Sequence, residues 1–421
     1  MIRTLPLTRN VDATVRAPPS KSYTHRALIT GALGFGTTVL EHPLDADDTR
    51  LTAQALAALG VPIRWQEDRI TIAGCDGVLP TSGTTTLNLD NSGTSLRLLA
   101  SLALLASHPV ILTGSARMQE RPVGPLADAL MQIGGTVTFP GKPGFPPVQV
   151  SGHLNGGRVS VDGSMSSQYI SSLLLAAPYA DRETELLILG TPVSRSYLDI
   201  TMDVMRTFGA DVRQSGPDRF VVSNRARYAG RNCPVEGDYS SASYFFAVAA
   251  ICGGRMTVTN LSATSVQGDR QFLTALEAMG CHVSRSGDAV TVERTGSLRG
   301  ITIYMSSAPD TVQTLCMVAA GAETPTTITG ISHLRFKESD RIAGTAERLR
   351  ALGGDVRVED DRITIFPRPL HGGTIDPGND HRTAMSFAVL GLGTGDVAIT
   401  HAECVNKSFP GFWETLDGVV Q

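Results

Sequence analysis

Lysine is scarce in this 421-residue sequence: of its 36 lysines and arginines, only Lys21, Lys142, Lys337 and Lys407 are lysines. Arginine fills nearly every ordinary cationic position. A lysine that remains therefore marks a place where a compact ammonium is needed and a guanidinium fork does not fit. Lys142 lies in a Pro/Gly loop over 140–147 and reads as ordinary, which leaves three candidates. Cysteine is sparse as well. The six residues Cys75, Cys233, Cys252, Cys281, Cys316 and Cys404 are scattered without a CxxC pair, which excludes a disulfide framework and reads as reduced thiols in a cytoplasmic protein. The nine histidines show no HxH or HxxxH spacing, so a metal site has no support. No apolar run reaches membrane-spanning length, and residues 1–10 lack the apolar core of a signal peptide. No basic tract interleaved with aromatics points to nucleic acid. A net charge of −4, with 42% hydrophobic and 18% charged residues, describes a soluble globular protein, and the length suggests two domains with a core each.

What is present is a repeat. An apolar strand, a polar loop, an amphipathic helix ending in glycine and then a strand pair recur six times. The spacing predicts helices over 51–59, 126–133, 200–208, 272–279, 342–352 and 412–416. Gly60, Gly135, Gly209, Gly280 and Gly354 follow the first five as the left-handed residues that end a helix, and Gly418 follows the sixth. The first five glycines stand 71–75 residues apart. Each unit also carries a second, nearly uncharged helix, over 27–33, 96–106, 169–177, 244–251, 312–320 and 385–392. Helices apolar nearly all round are buried ones, so the expected class is α/β, with buried helices inside and sheets and amphipathic helices outside. Six units divide as three plus three.

The second helices begin in one class of residue: Ser20-Lys21-Ser22, Asn91-Ser92-Gly93-Thr94, Ser166-Ser167-Gln168, Asp238 through Ser243, Pro309-Asp310-Thr311 and Asn379-Asp380-His381-Arg382. Capping explains each Ser, Thr, Asn or Asp singly. It does not explain Lys21, Gln168 or Arg382 beside them. Parallel buried helices would aim several N-termini at one cleft, a field that suits a small, multiply anionic ligand. The run His333–Arg341 sits at the start of the 342–352 helix, and on that helix Lys337 and Arg341 would be like charges one turn apart. That pairing costs roughly 0.2–0.5 kcal/mol, partly offset by Glu338. It reads either as a solvated helix start or as an anion site, and the scarcity of lysine favours the second.

These motifs resemble the 5-enolpyruvylshikimate-3-phosphate synthase family over essentially the whole chain. The matching stretches are Pro19-Ser20-Lys21-Ser22 with Arg26, Asn91-Ser92-Gly93-Thr94 with Arg97, Glu120-Arg121-Pro122, Ser166-Ser167-Gln168, Pro309-Asp310, Lys337 through Arg341, Asn379 through Arg382, and Lys407-Ser408-Phe409-Pro410. Each is weak alone, and eight in order are specific. The resemblance implies six βαβαββ repeats in two three-repeat domains, an inside-out α/β barrel with its active site in the interdomain cleft. It divides the chain into 21–237 and 238–421 plus 1–20.

The implied reaction moves the enolpyruvyl group of phosphoenolpyruvate to the 5-hydroxyl of shikimate 3-phosphate by addition and elimination, with neither metal nor organic cofactor. By the resemblance, Lys21, Ser22, Arg26, Ser166, Ser167, Gln168, Ser194, Asp310 and Lys337 hold shikimate 3-phosphate. Tyr197 packs near its ring, and His333 stands where many members have a contacting Asn. Lys21, Gly93, Arg121, Gln168, Arg341, Arg382 and Lys407 hold phosphoenolpyruvate. Asp310 is the expected base, Glu338 the expected acid, and Lys21 belongs to both substrates and the chemistry. Thr24 and His25 depart from a usual Ser-Asn. Leu98 departs from a frequent Pro in a way expected to alter sensitivity to glyphosate, which competes for the phosphoenolpyruvate pocket. The sister family acting on UDP-N-acetylglucosamine usually has Cys where this chain has Ala116 and Asn where it has Ser22. An inactive binding homologue is a second alternative, against which Asp310, Glu338 and the three motif lysines all stand. The expected partners are the two small substrates alone, without nucleic acid or membrane, for a monomeric enzyme of the cytoplasm.

Overall fold

The computed structural model describes residues 1–420. The chain forms two compact units, one of Ser20–Val235 and one of Met1–Pro19 with the chain from Glu236 onward. The first unit contains α1 (Lys21–Leu33), α2 (Asp47–Ala58), α3 (Gly93–Ala100), α4 (Gly124–Gln132), α5 (Ser167–Ala176) and α6 (Ser196–Thr207). The second contains α7 (Tyr239–Cys252), α8 (Gln271–Ala278), α9 (Val312–Ala319), α10 (Arg341–Ala351), α11 (His381–Thr394) and α12 (Phe412–Val419).

The odd-numbered helices α1, α3, α5, α7, α9 and α11 are the interior ones. In α7 every residue except Ile251 is buried, and α7, α9 and α11 pack on one another. Small residues let the axes approach, and buried hydroxyls link neighbouring helices. Ser101 and Ser172 share a hydrogen bond at 2.7 Å, Thr52 and Ser95 one at 2.8 Å, and Ser171 and Thr201 one at 2.8 Å. Each such bond contributes a net stabilisation of about 1 kcal/mol and would leave a costly orphan if one partner were deleted. The helix expected over 96–106 is found as α3 followed by a 3-10 turn, Ser101–Leu105.

Five of the six small sheets share one pattern: an edge strand parallel to a central strand, which pairs antiparallel with a hairpin. In the sheet of Thr85–Asn88, Val110–Thr113, Val148–Gly152 and Gly135–Thr138, only the first pair is parallel. The sixth sheet has three strands and no hairpin. Gly373–Ile375 pairs parallel with Val397–Ile399, and the N-terminal strand Arg3–Leu5 closes it antiparallel. Val11–Arg16 of the second unit lies parallel to Gly254–Thr259, while Asn232–Pro234 of the first unit lies parallel to Thr37–Glu41. Each unit thus completes its sheets with strands that are distant in sequence.

Gly60, Gly209 and Gly280 end their helices in the left-handed region as expected. At the two double glycines, however, the first residue takes that conformation, Gly134 at φ 106° and Gly353 at φ 91°, rather than Gly135 and Gly354. The second glycine answers a different demand, close approach. A Cβ at Gly135 would lie 2.8 Å from the Leu130 carbonyl oxygen, and one at Gly354 2.8 Å from that of Leu349. Gly418 lies inside α12 and does not end it. Among the described residues, no helix is long and apolar enough to cross a membrane.

Candidate active site

Ten of the expected site residues lie in the Ser20–Val235 unit and seven in the other. Each group is built on the early turns of interior helices and on the starts of outer helices with the loops before them.

In the Ser20–Val235 unit, Lys21 is the first residue of α1 and its Nζ meets Asp48 Oδ2 at 3.1 Å. One turn on, Arg26 is buried among α1, α5 and α6. Its Nε donates to Thr201 Oγ1 at 2.8 Å, Nη1 to the Ser22 carbonyl at 3.0 Å, and Nη2 to Ser171 Oγ at 3.3 Å and the Tyr197 carbonyl at 3.2 Å. Every one of these acceptors is neutral. Burial lowers the guanidinium pKa to about 10, because a charge withdrawn from water without a counter-charge is disfavoured. Arg121 is buried against the start of α3, with Nη1 donating to the carbonyl and side-chain oxygens of Asn91 at 3.0 and 3.2 Å. A Cβ at Gly93 would collide with the Arg121 guanidinium, so glycine is what lets the cation sit over the helix N-terminus.

Ser166 caps α5, its Oγ accepting from the Gln168 amide at 3.3 Å, and Ser167 is buried beside it. The Gln168 side chain is held at both ends: Nε2 donates to Thr94 Oγ1 at 3.0 Å, and Oε1 accepts from Arg97 Nη1 at 2.8 Å. Arg97 also stacks over Tyr169 at 5.5 Å. Ser194 takes a left-handed φ of 54°, is buried, and offers its carbonyl to the Tyr197 amide at 3.1 Å. Sequence reasoning gave no role to Arg97 or Asp48. The cue for Arg97 was its position one turn after Gly93 on an otherwise apolar helix.

In the other unit Arg341 is the hub. It is 3% exposed. Its Nε and Nη2 donate to Asp380 at 2.9 and 3.3 Å, Nη1 to Asp310 Oδ1 at 3.1 Å, and Nη2 to Glu338 Oε2 at 2.7 Å. Burial works against its charge, and Asp380, Glu338 and Asp310 more than reverse that, so its pKa is raised above the usual arginine value. Asp380 is buried too. Burial pushes its carboxyl up, but Arg341 beside it prevails and holds it below the usual range. Asp380 also caps α11 by accepting from the Arg382 amide at 3.0 Å and takes the Ser339 hydroxyl at 2.9 Å. Arg382 meets the second oxygen of Asp310 at 2.6 Å and Tyr244 Oη at 3.3 Å. Asp310 is therefore no helix cap. It sits on the 3-10 turn Pro309–Thr311, bracketed by two guanidiniums.

The helix expected to carry both Lys337 and Arg341 begins later. Asp340 is its N-cap, accepting from the Ile342 and Ala343 amides at 3.1 and 3.0 Å, so Arg341 is the first helical residue. Lys337 ends a separate 3-10 turn, Ser332–Phe336, in extended conformation. The two cations do not share a helix face, so the like-charge pair expected one turn apart on a helix is not formed. His333 is buried on that turn. Burial, with Lys337 adding to it, lowers its pKa to about 3, so the imidazole is neutral at physiological pH. Lys407 ends the 3-10 turn Ala402–Lys407, which packs on α11. Among the described residues, no cluster of three or more His, Cys, Asp or Glu could hold a metal ion.

Comparison with known proteins follows the same lines. The family profile described as EPSP synthase (3-phosphoshikimate 1-carboxyvinyltransferase) matches residues 7–416. A 3-phosphoshikimate 1-carboxyvinyltransferase of Methanoregula boonei is 63% identical over 421 residues, covering 100% of both chains. One from Methanoculleus marisnigri is 61% identical over 418 residues, 99% of each. An EPSP synthase structure from Acinetobacter baumannii superposes with a TM-score of 0.83 at 29% identity, covering 100% of this chain and 98% of that one. A profile matched over nearly the full length, relatives alike from end to end and a shared fold all agree, and the chain belongs to the EPSP synthase family.

Proposed function

We infer that the chain carries out the family's reaction with the residues gathered in its two clusters. It is a transferase of the shikimate pathway, serving chorismate and aromatic amino-acid biosynthesis, and it moves the enolpyruvyl group of phosphoenolpyruvate to the 5-hydroxyl of shikimate 3-phosphate with release of phosphate. The observation that carries the assignment of roles is the placement of Asp310 and Glu338 on one guanidinium, Arg341.

In the addition, Asp310 takes the proton of the 5-hydroxyl as that oxygen bonds to the central carbon of phosphoenolpyruvate. Glu338 gives a proton to the methylene carbon, which becomes methyl in a tetrahedral intermediate. In the elimination the roles reverse: Glu338 recovers a methyl proton, the carbon–phosphate bond breaks, and the departing phosphate takes the proton held on Asp310. Arg341 couples the two carboxylates. A substrate carboxylate that takes its Nη donors displaces Glu338, which, without that counter-charge, takes up a proton from solvent and then serves as the proton donor. Arg341, Arg382 and Lys407, with Lys21, Gly93, Arg121 and Gln168, hold the charges of phosphoenolpyruvate and of the intermediate, an electrostatic role worth several kcal/mol.

Shikimate 3-phosphate falls to Lys21, Ser22, Arg26, Ser166, Ser167, Gln168, Ser194 and Tyr197 of one unit and to Asp310, His333 and Lys337 of the other. The buried, neutrally solvated Arg26 supports this division, since an anionic ligand supplies the counter-charge its pocket lacks. Neutral His333 offers a hydrogen bond and no charge. We read the enzyme as a monomer of the cytoplasm: six free cysteines support the compartment, and sedimentation at micromolar concentration giving a dimer would overturn the monomer. The direct test of function is phosphate release from phosphoenolpyruvate and shikimate 3-phosphate. Turnover is expected; no turnover at millimolar substrate, with turnover on UDP-N-acetylglucosamine instead, would overturn it.

A further inference from the structure

Asp269 has no part in the mechanism above, yet it is a carboxyl buried beside the proposed base. It lies on the 3-10 turn Gly268–Arg270 that leads into α8, and this turn packs against both α7 and the Pro309–Thr311 turn carrying Asp310. The residue is 5% exposed. Ser240, in the first turn of α7, donates its hydroxyl to Asp269 Oδ2 at 2.6 Å. Its electrostatic surroundings include Asp310 from the neighbouring turn, Arg382 from α11, and Asp238 and Ser240 from the start of α7. Arg270 on its own turn is engaged elsewhere, donating to the Ser265 carbonyl at 2.6 Å and lying over the Tyr239 ring at 5.8 Å.

We propose that Asp269 is a positioning residue of the reaction, a buried carboxyl whose own ionisation sets how strongly Asp310 attracts the hydroxyl proton. The reasoning is electrostatic. Arg341 and Arg382 bracket both oxygens of Asp310 and so weaken it as a base. A negative charge on Asp269 offsets those cations from the protein side, where the low dielectric keeps the interaction strong. Burial, and then the charge of Asp310, push the Asp269 carboxyl up to about 7. It therefore ionises across neutrality, and Asp310 becomes the stronger base as pH rises. The Ser240 hydroxyl donates to the ionised form and favours it. The proposal rests on Asp310 being the base.

The test compares the full-length wild type with Asp269→Asn and Ser240→Ala by kcat from pH 5.5 to 9 and by carbon NMR of chains labelled at the aspartate carboxyl carbon. The wild type is expected to show a carboxyl titrating near neutrality, with a rise in kcat over the same range. In Asp269→Asn that resonance and that rise disappear, and kcat above pH 8 falls roughly three- to tenfold, the loss shrinking as pH drops and the native carboxyl is itself neutral. Ser240→Ala, the milder change, moves both carboxyl titration and kcat rise together to higher pH. A merely structural role would alter stability and leave the profile in place. An Asp269→Asn or Ser240→Ala profile superimposable on the wild type, alongside a normal loss in Asp310→Ala, overturns this proposal alone. Near-normal kcat in Asp310→Ala overturns the assignment of the base and this proposal with it, while the NMR titration still reports whether Asp269 ionises.

Discussion

Arg26 and Arg341 are both buried guanidiniums near the starts of helices, one in each unit, and their surroundings are opposite. Arg26 donates to two hydroxyls and two carbonyls, all neutral. Arg341 donates to three carboxylates. One cation therefore lacks a counter-charge of its own, and the other is over-supplied. A buried charge without a partner is costly to maintain and is retained where something is to be bound. A buried charge shared among carboxylates instead holds them in fixed relation, which is what proton transfer needs. On the proposed roles both clusters hold ligand charge, and the second adds the carboxylates that move the protons.

The largest effect is expected at the proton-transfer end. Asp310→Ala should lower kcat by roughly 10²–10⁴-fold, as the loss of a general base does, with a far smaller change in the KM for shikimate 3-phosphate. A KM-only effect in steady-state kinetics would place Asp310 with Arg26 as a binding group and erase the contrast.

The next pair sets the two arginines directly against each other. Arg341→Met leaves Asp380, Asp310 and Glu338 without their shared cation and should destabilise the fold by about 3–5 kcal/mol in denaturant titration. Arg26→Met removes a charge whose partners keep one another, since Ser171 and Thr201 remain bonded. Its fold should change little, while the KM for shikimate 3-phosphate rises by roughly 30- to 1,000-fold. Equal destabilisation by the two substitutions would make Arg26 a structural residue.

A smaller effect is expected at Leu98, fully buried on α3, whose carbonyl accepts from Ser172 Oγ at 3.3 Å. Leu98→Pro removes a helical N–H and crowds the preceding turn, moving the Gly93 end of α3. The glyphosate inhibition constant should shift by roughly tenfold or less; an unchanged constant would separate α3 from that pocket.

The finest distinction is in stability against pH. The His333 pKa is lowered from 6.5 to about 3, so between those values the unfolded chain binds more protons. Its contribution is complete above pH 6.5 and is lost as pH falls towards 3. The Asp269 pKa is raised from 3.8 to about 7, so there the folded chain binds more protons. Its contribution is complete below 3.8 and is lost as pH rises through 7. The two windows overlap and their slopes oppose: between pH 3.8 and 6.5, His333→Asn should remove a rise of Tm with pH and Asp269→Asn a fall. If both substitutions change the slope in the same direction, one of the two environments is misassigned.

Much of this arrangement was legible beforehand. Apolar runs of helical length located α5, α7, α9 and α11, because a helix buried all round has little use for charge. Ser92, Ser166, Asp238 and Asp380 were readable as caps and do accept from the amides behind them. The start of α10 was misplaced because a helix boundary depends on which of several polar residues turns its side chain back to the amides. Ser339 and Asp340 are both eligible by type. At the double glycines, either residue can supply the left-handed turn, and only the neighbouring carbonyl shows which must do without a Cβ.

Local sequence thus determined the repeat, the interior and exterior helices and the classes of residue at the helix starts, since periodicity and capping act over a few residues. Tertiary structure alone decided which charges meet. Arg341 finds Asp380 39 positions away and Arg382 finds Asp310 72 away. Asp269 lies beside the Asp310 turn only because two turns from successive repeats pack together. Coulomb interactions and burial depend on distance through space, and no spacing along the chain encodes that distance.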